Sequence, residues 1–230
     1  MPDSLLRGRY VVSDPRRLPD EGLVEDGAVL VSGESVTAVG PFAALRRENR
    51  EATVIGSGRH LVMPGLVNAH SHGRGLAALR LGVLDDYLER WLLDWLAMRP
   101  LDLYLDTLYA AMRMVRSGVT AVIHSGYARQ AGRTEAETRD SLRAYRAAGV
   151  RVAYALGIED RPSAVHGDQE SFLAALPRAL AERVAAAFAP TSEAAIEEYF
   201  DLMGRLQAEH ERDPRVALLY GPSWPVWCSD

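Results

Sequence analysis

The sequence of 230 residues predicts an α/β fold built on a parallel sheet, preceded by a small β-rich segment. Residues 1–63 run as short β-type stretches separated by tight turns. From residue 64 onward, apolar strand-like runs alternate with amphipathic helical stretches, the pattern of parallel strands joined by helical crossovers. A composition of 48% hydrophobic and 25% charged residues suits a packed globular core rather than a disordered or fibrous chain.

Each element has its own local reason. Arg9–Ser13 is β-rich, and Asp14-Pro15 ends it. Gly27–Ser32 and Ser35–Val39 flank Gly33-Glu34 in the outline of a hairpin. Pro41–Glu48 suits a short helix opened by proline, and Thr53–Ile55 and Leu61–Met63 are further apolar runs. This segment is too thin to close a core alone. After Pro64-Gly65, Leu66–His72 reads as a strand that ends in polar residues. A helix is expected from about Asp85, because Leu84, Leu88, Trp91, Leu92, Trp95 and Leu96 recur at helical spacing, which makes both tryptophans core residues. Pro100 breaks it, and a second helix covers Leu101–Ser117 before Gly118 caps it.

Val119–Ile123 is a buried-type strand leading to His124, and Thr134–Glu137 resembles a capping box opening a helix that ends at Gly149. Val150–Leu156 is a third strand, and Arg215–Tyr220 a fourth. Between them lie helical stretches at Gln169–Phe188 and Ser192–Glu211, separated by Pro190, with Pro177 breaking the first. Two closures suit this order, a doubly wound sheet and an eight-stranded barrel. No Gly-x-Gly-x-x-Gly follows the first strand, so a dinucleotide-binding fold gains no support. A barrel takes ~250 residues, so a barrel reading places about half of one here.

Composition removes several function classes. The net charge of -5 disfavours a binder of nucleic-acid backbones. No run approaches the ~20 apolar residues of a membrane span; the alanine-rich stretch 179–189 is interrupted by Glu182 and Arg183. The start carries no apolar signal core, and Cys228 is a single cysteine, so a cytoplasmic setting is the expectation. All 26 basic residues are arginine, which excludes Schiff-base lysine chemistry and a phosphate-loop lysine.

The chemistry centres on His70 and His72. On a strand, residues i and i+2 share a face, so both imidazoles converge at the strand's C-terminal end, where α/β folds place their active sites. Two imidazoles at that spacing begin a zinc or iron site; the plainer alternative is two exposed histidines at a strand end. His124 ends the second strand and is either a pocket contact, a substitute ligand, or a hydrogen-bonded structural histidine. Arg74 suits an anionic substrate or a solvated loop, and Trp224 and Trp227 suit aromatic pocket walls or plain packing. Glu159-Asp160-Arg161 lies after the third strand, at a possible pocket mouth. His60, His166 and His210 lack a neighbour at ligand spacing, and Cys228 lacks an activating histidine.

The run Val62-Met-Pro-Gly-Leu-Val-Asn-Ala-His-Ser-His72 resembles the metal-binding first barrel strand of the amidohydrolase superfamily. Leu76–Arg80 and the Asp85–Trp95 stretch are similar to its cytosine-deaminase and chlorohydrolase branch. Gly27–Val31 and Val36–Gly40 resemble that branch's small β-sandwich, and the tail Tyr220–Asp230 its loop after the fourth strand.

The resemblance implies a composite, urease-like β-sandwich segment at 1–63. It also implies the first half of a distorted TIM-type (β/α)8 metal-dependent hydrolase barrel at 64–230, with about four strands present. It implies one divalent metal, Zn or Fe(II), with His70 and His72 as two ligands. The activity it implies is attack of metal-activated water on a carbon–nitrogen or carbon–halogen bond, most simply deamination of a small nitrogen heterocycle. In that family a third histidine, an acid/base carboxylate, a further histidine and an aspartate come from strands five to eight, so the catalytic acid/base residues are expected beyond these residues. Branches that bridge two metals through a modified lysine are disfavoured, since no lysine is present.

Two histidines alone fall short of the three protein ligands of a catalytic zinc, and a half barrel leaves open strand edges. The expectation is therefore a truncated or split chain completed by a second chain or an oligomer. The alternatives are a non-catalytic half-barrel acting only as an assembly partner, and a metal binder without turnover.

Overall fold

The computed structural model describes residues 2–87, 90–91, 94–95, 98, 101–127, 132–165, 167–223 and 227–229. Two compact units emerge, Met1–Gly65 and Leu66–Asp230.

The first unit contains β1 (Ser4–Val12), β2 (Leu23–Ser32), β3 (Ser35–Pro41), α1 (Phe42–Glu48), β4 (Thr53–Gly56) and β5 (Leu61–Val62). They form one five-stranded sheet in the order β3-β2-β1-β4, with β5 also paired to β1. β1, β2 and β3 are antiparallel neighbours, while β4 and β5 run parallel to β1. The hairpin turns at Gly33-Glu34, where Gly33 takes a φ of 61° that a side chain would strain. Leu5, Ala28, Leu30, Leu45 and Ala52 form a small core, with Phe42 of α1 packed against it. The sequence anticipates a sandwich here; these residues supply one sheet and one covering helix.

The second unit contains β6 (Leu66–Ser71), α2 (Leu103–Arg116), β7 (Val119–Gly126), α3 (Thr134–Ala148), β8 (Arg151–Ile158), α4 (Gln169–Ala174), α5 (Arg178–Ala187), α6 (Glu193–His210) and β9 (Val216–Pro222). Its sheet runs β6-β7-β8-β9, parallel throughout, so each strand lies beside the next one in sequence. That sequential order is the barrel pattern and not the doubly wound one, whose strand order reverses. Helical starts follow from caps: Asp102 accepts from the Leu105 N–H at 2.9 Å, Asp168 from those of Glu170 and Ser171, and Ser192 from that of Ala195. Pro177 divides α4 from α5, as expected.

Two expectations need correction. The capping box at Thr134 does not form, because Thr134 is the first helical residue and Arg133 takes the cap position without a side-chain bond. The helix expected from Asp85 begins later: Ala78–Leu81 make a 3-10 turn, residues 83–87 are irregular, and residues 90, 91, 94 and 95 are helical. Leu88, Leu92 and Leu96 lie outside the described residues. Trp91 and Trp95 are half-buried and stack with ring centroids 6.1 Å apart.

One face of the parallel sheet is covered by helices. Val122, Val152, Tyr154 and Leu156 are buried there against Ala111 of α2, Leu142 and Tyr145 of α3, and Tyr199, Leu202, Met203 and Leu206 of α6. The opposite face presents Val67, Ile123 and Leu219 to solvent.

Candidate metal centre

β6 is not a regular strand. Its pairing with β7 slips between Asn68 and Ser71, so an extra residue is accommodated on the β6 side. Ser71 therefore pairs with His124, and the Asn68 side chain accepts the His70 N–H at 3.2 Å across the irregularity. At this end of the strand, His70 and His72 come together edge to face, with ring centroids 4.9 Å apart.

The His72 ring has a fixed role for each nitrogen. Its Nδ1 lies 2.9 Å from the backbone carbonyl of Ser125 at the end of β7. A carbonyl only accepts, so Nδ1 carries the hydrogen and Nε2 presents a lone pair. That is the arrangement a metal-ligating histidine needs, with one ring nitrogen anchored and the other free to coordinate.

Both imidazoles line a cleft of ≈ 200 Å³ with Ser125, Tyr127, Ala155, Gly157, Gly221, Pro222 and Ser223. Apart from Ala155, which lies three residues before the end of β8, these residues lie at or just beyond the C-terminal ends of the parallel strands. The Tyr127 ring sits 6.0 Å from that of His72. It is seated against Gly157, where any Cβ would fall 2.8 Å from the ring, so the glycine is what makes room for the aromatic wall.

The donor set fits part of a zinc-type or iron-type site: two imidazoles, one with its Nδ1 already committed to a carbonyl. Among the described residues no group of three or more His, Cys, Asp or Glu side chains is placed to hold a metal.

The other pocket candidates stand elsewhere. His124 does not line the cleft; it is buried on the helix side of β7, in phase with Val122 and Gly126. Its Nδ1 is 3.0 Å from the Tyr145 hydroxyl, and it packs against the Tyr145 and Tyr154 rings. Burial, then the nearby Arg74 and His72, pushes its pKa down to about 3, so this histidine is neutral. Arg74 also turns away from the cleft. Its guanidinium is 3.8 Å from the buried Asp106 carboxylate and 5.7 Å from the Trp95 ring centre. A guanidinium that can meet a buried carboxylate does so in preference to a solvated loop position.

Trp224 lies outside the described residues. Trp227 does not line the cleft, and its carbonyl accepts the N–H groups of Asp160 and Arg161 at 3.1 and 2.9 Å. The acidic loop after β8 is thereby tied to the tail rather than to the cleft. Ser229 bonds hold the Asp160 carboxyl below the ordinary range, while burial pushes that of Glu159 up. His60 is a turn residue bonded to Ser57, Cys228 points its thiol at the Ile158 carbonyl, and His166 lies outside the described residues.

Sequence reasoning passed over Tyr127, Ser125 and Asp106. Ser125 contributes a backbone atom, which no side-chain pattern encodes. Tyr127 falls just past the strand end, and Asp106 reads as a solvent-facing acid of a helical first turn.

The family model described as the amidohydrolase family matches residues 61–205, more than half of the chain. The chain belongs to the amidohydrolase family. A second model, an imidazolonepropionase-like composite domain of bacteria, matches residues 27–52. Among curated relatives, a 5-methylthioadenosine/S-adenosylhomocysteine deaminase of Nitratidesulfovibrio vulgaris is 34% identical over 160 residues, covering 66% of this chain and 33% of its own. A 5'-deoxyadenosine deaminase of Methanosarcina barkeri is 35% identical over 129 residues, covering 53% and 27%. The chain thus spans about a third or less of the length of these relatives. In fold it is similar to an adenosine deaminase from Xanthomonas campestris with bound zinc, at a TM-score of 0.58 and 24% identity, covering 96% of this chain and 43% of that one. The amidohydrolase fold here is thus an α/β barrel segment of four consecutive parallel strands.

Proposed function

We propose that this chain supplies the metal-holding part of a hydrolase that deaminates a nitrogen heterocycle, with an adenine-type nucleoside as the substrate class. The observation that carries the reading is the His70–His72 pair at the strand ends, with the His72 Nδ1–H committed to the Ser125 carbonyl. The names of the curated relatives, deaminases of adenosine derivatives, support the substrate class.

His70 and His72 would hold one divalent ion, zinc or iron(II). Such an ion supplies a Lewis acid that makes water acidic enough to act near neutral pH. The overall change replaces a C–N bond by a C–O bond, with water consumed and ammonia released, and needs no oxidant. Ser125 keeps the His72 ring oriented, and Tyr127 offers an aromatic surface beside it on which a planar base can lie. The Tyr127 ring stands against Gly157, which is paired with Gly221 of β9 at the same end of the sheet.

A second reading rests on a different observation. Among the described residues β6 and β9 each have one unpaired edge, and the face opposite the helices exposes Val67, Ile123 and Leu219. Further parallel strands, from a second chain or another part of a longer one, would pair with those edges and cover that face. In that reading the chain works as an assembly partner, and turnover belongs to the assembly. No helix among the described residues is long and apolar enough to cross a membrane.

Zinc binding and ammonia release from 5'-deoxyadenosine, measured on the full chain, separate these readings. Zinc held through His70 and His72 together with ammonia release supports catalysis by the chain. Zinc held without release supports the assembly reading. Zinc binding unchanged in His70→Ala and His72→Ala overturns the metal site.

A further inference from the structure

A buried carboxylate that the proposed chemistry does not use stands behind the loop that follows His72. Asp106 lies on the first turn of α2 and its side chain is 3% exposed. Its Oδ1 accepts the N–H groups of Gly75 and Leu76 at 2.9 and 3.0 Å. Its Oδ2 makes no hydrogen bond and lies 3.8 Å from the Arg74 guanidinium. About two turns along the same helix, Arg113 donates to the Gly75 carbonyl at 3.0 Å. The loop is thus gripped by its donors and its acceptor from a single helix.

The same loop has no slack on its other sides. Gly75 lies so close to α2 that a Cβ would fall 2.6 Å from the Asp106 carbonyl and 2.9 Å from the Ala110 nitrogen. Gly73 takes a φ of 62°, and a Cβ there would fall 2.4 Å from Cε1 of His124. His72 immediately precedes Gly73, and its ring is held from the front by the Ser125 carbonyl. Burying a carboxylate is costly unless it is hydrogen-bonded and paired, and here the partners are the loop N–H groups and Arg74. What these bonds fix is the backbone that leaves His72.

We propose that Asp106 is a positioning residue for the metal pair, holding the Gly73–Leu76 loop so that the His72 imidazole keeps its coordinating direction, with Arg113 as its partner and Arg74 as its counter-charge. The inference rests on His70 and His72 being metal ligands, as proposed above. Arg74 is thereby assigned to the clamp rather than to substrate.

The test is zinc affinity of the full chain, read by competition with a chromophoric chelator, alongside thermal unfolding of the metal-free protein. Removing a group that orients a metal ligand costs about 10–100-fold in affinity, and Asp106→Ala is expected in that range. Asp106→Asn retains an acceptor for the two N–H groups and is expected to lose about threefold to tenfold, and Arg113→Met about as much. The control is Leu206→Ala, on the core face of α6, which lowers the melting temperature and leaves zinc affinity within about twofold. If Asp106→Ala does not fold, Asp106→Asn and Arg113→Met decide. Wild-type affinity in those variants, or affinity that merely tracks melting temperature across all four, overturns the clamp while leaving the metal site standing. Absence of zinc binding in the wild type overturns both.

Discussion

On the helix-covered face of the parallel sheet, Val122, Tyr154 and Leu156 are buried beneath Tyr145, Tyr199, Met203 and Leu206, whereas on the opposite face Val67, Ile123 and Leu219 stay in contact with solvent. Histidines occur on both. His124, on the covered face, is enclosed by two tyrosine rings and is neutral; His70 and His72, on the other, are exposed with their rings converging. An imidazole is a packing element on one side of the sheet and a candidate ligand on the other, because successive strand residues point to opposite faces. Burial and phase along the strand, not residue type, separate the two roles.

The contrast can be broken most forcefully by truncating a leucine on each face. Leu156→Ala on β8 opens a cavity in the helix-side core and is expected to cost about 2–5 kcal/mol. Leu219→Ala on β9, already 41% exposed, is expected to stay within about 0.5 kcal/mol. Urea unfolding of both variants measures the difference, and equal losses would mean that the open face is covered in solution.

Metal affinity sharpens the comparison from the other side. His72→Ala is expected to reduce zinc affinity by on the order of 100-fold or more, and His124→Gln to leave it within about tenfold, by equilibrium dialysis.

How much of this was legible beforehand depends on how locally each feature is encoded. Strand–helix alternation, the hairpin at Gly33-Glu34, the break at Pro177 and the pairing of His70 with His72 all follow from residues within one or two turns of each other. The face of His124 was legible too, had the period of two from Val122 been carried through, because a residue in phase with a core valine lies in the core. Arg74, Asp106 and Tyr127 were not. Asp106 and the Gly75 N–H it accepts are 31 residues apart, and Tyr127 meets Gly157 only because β7 and β8 lie side by side. The bulge in β6 is likewise a property of pairing rather than of the strand.

Acid should expose the covered face next. His124 has a folded pKa of about 3 against an ordinary 6.5, so the folded protein resists the proton that the unfolded chain accepts. Its contribution is complete above pH 6.5 and is lost as pH falls toward 3, at up to 1.4 kcal/mol per unit, or roughly 2 kcal/mol by pH 5. His124→Gln should flatten that part of a stability–pH curve, and an unchanged slope would mean that the histidine is hydrated.

The smallest effect belongs to the outer surface of the helices. Arg139 bridges Glu135 at 2.9 Å and Glu209, which link α3 to α6. All three are substantially exposed, so Arg139→Ala is expected to cost about 0.2–1 kcal/mol, and less at high salt.

The most direct test of the central assignment is zinc K-edge X-ray absorption on the zinc-loaded full chain. The account predicts the multiple-scattering signature of two imidazoles with nitrogen at about 2.0–2.1 Å, reduced to one in His72→Ala. A spectrum carrying no imidazole scattering, or one that His72→Ala leaves unaltered, would contradict it.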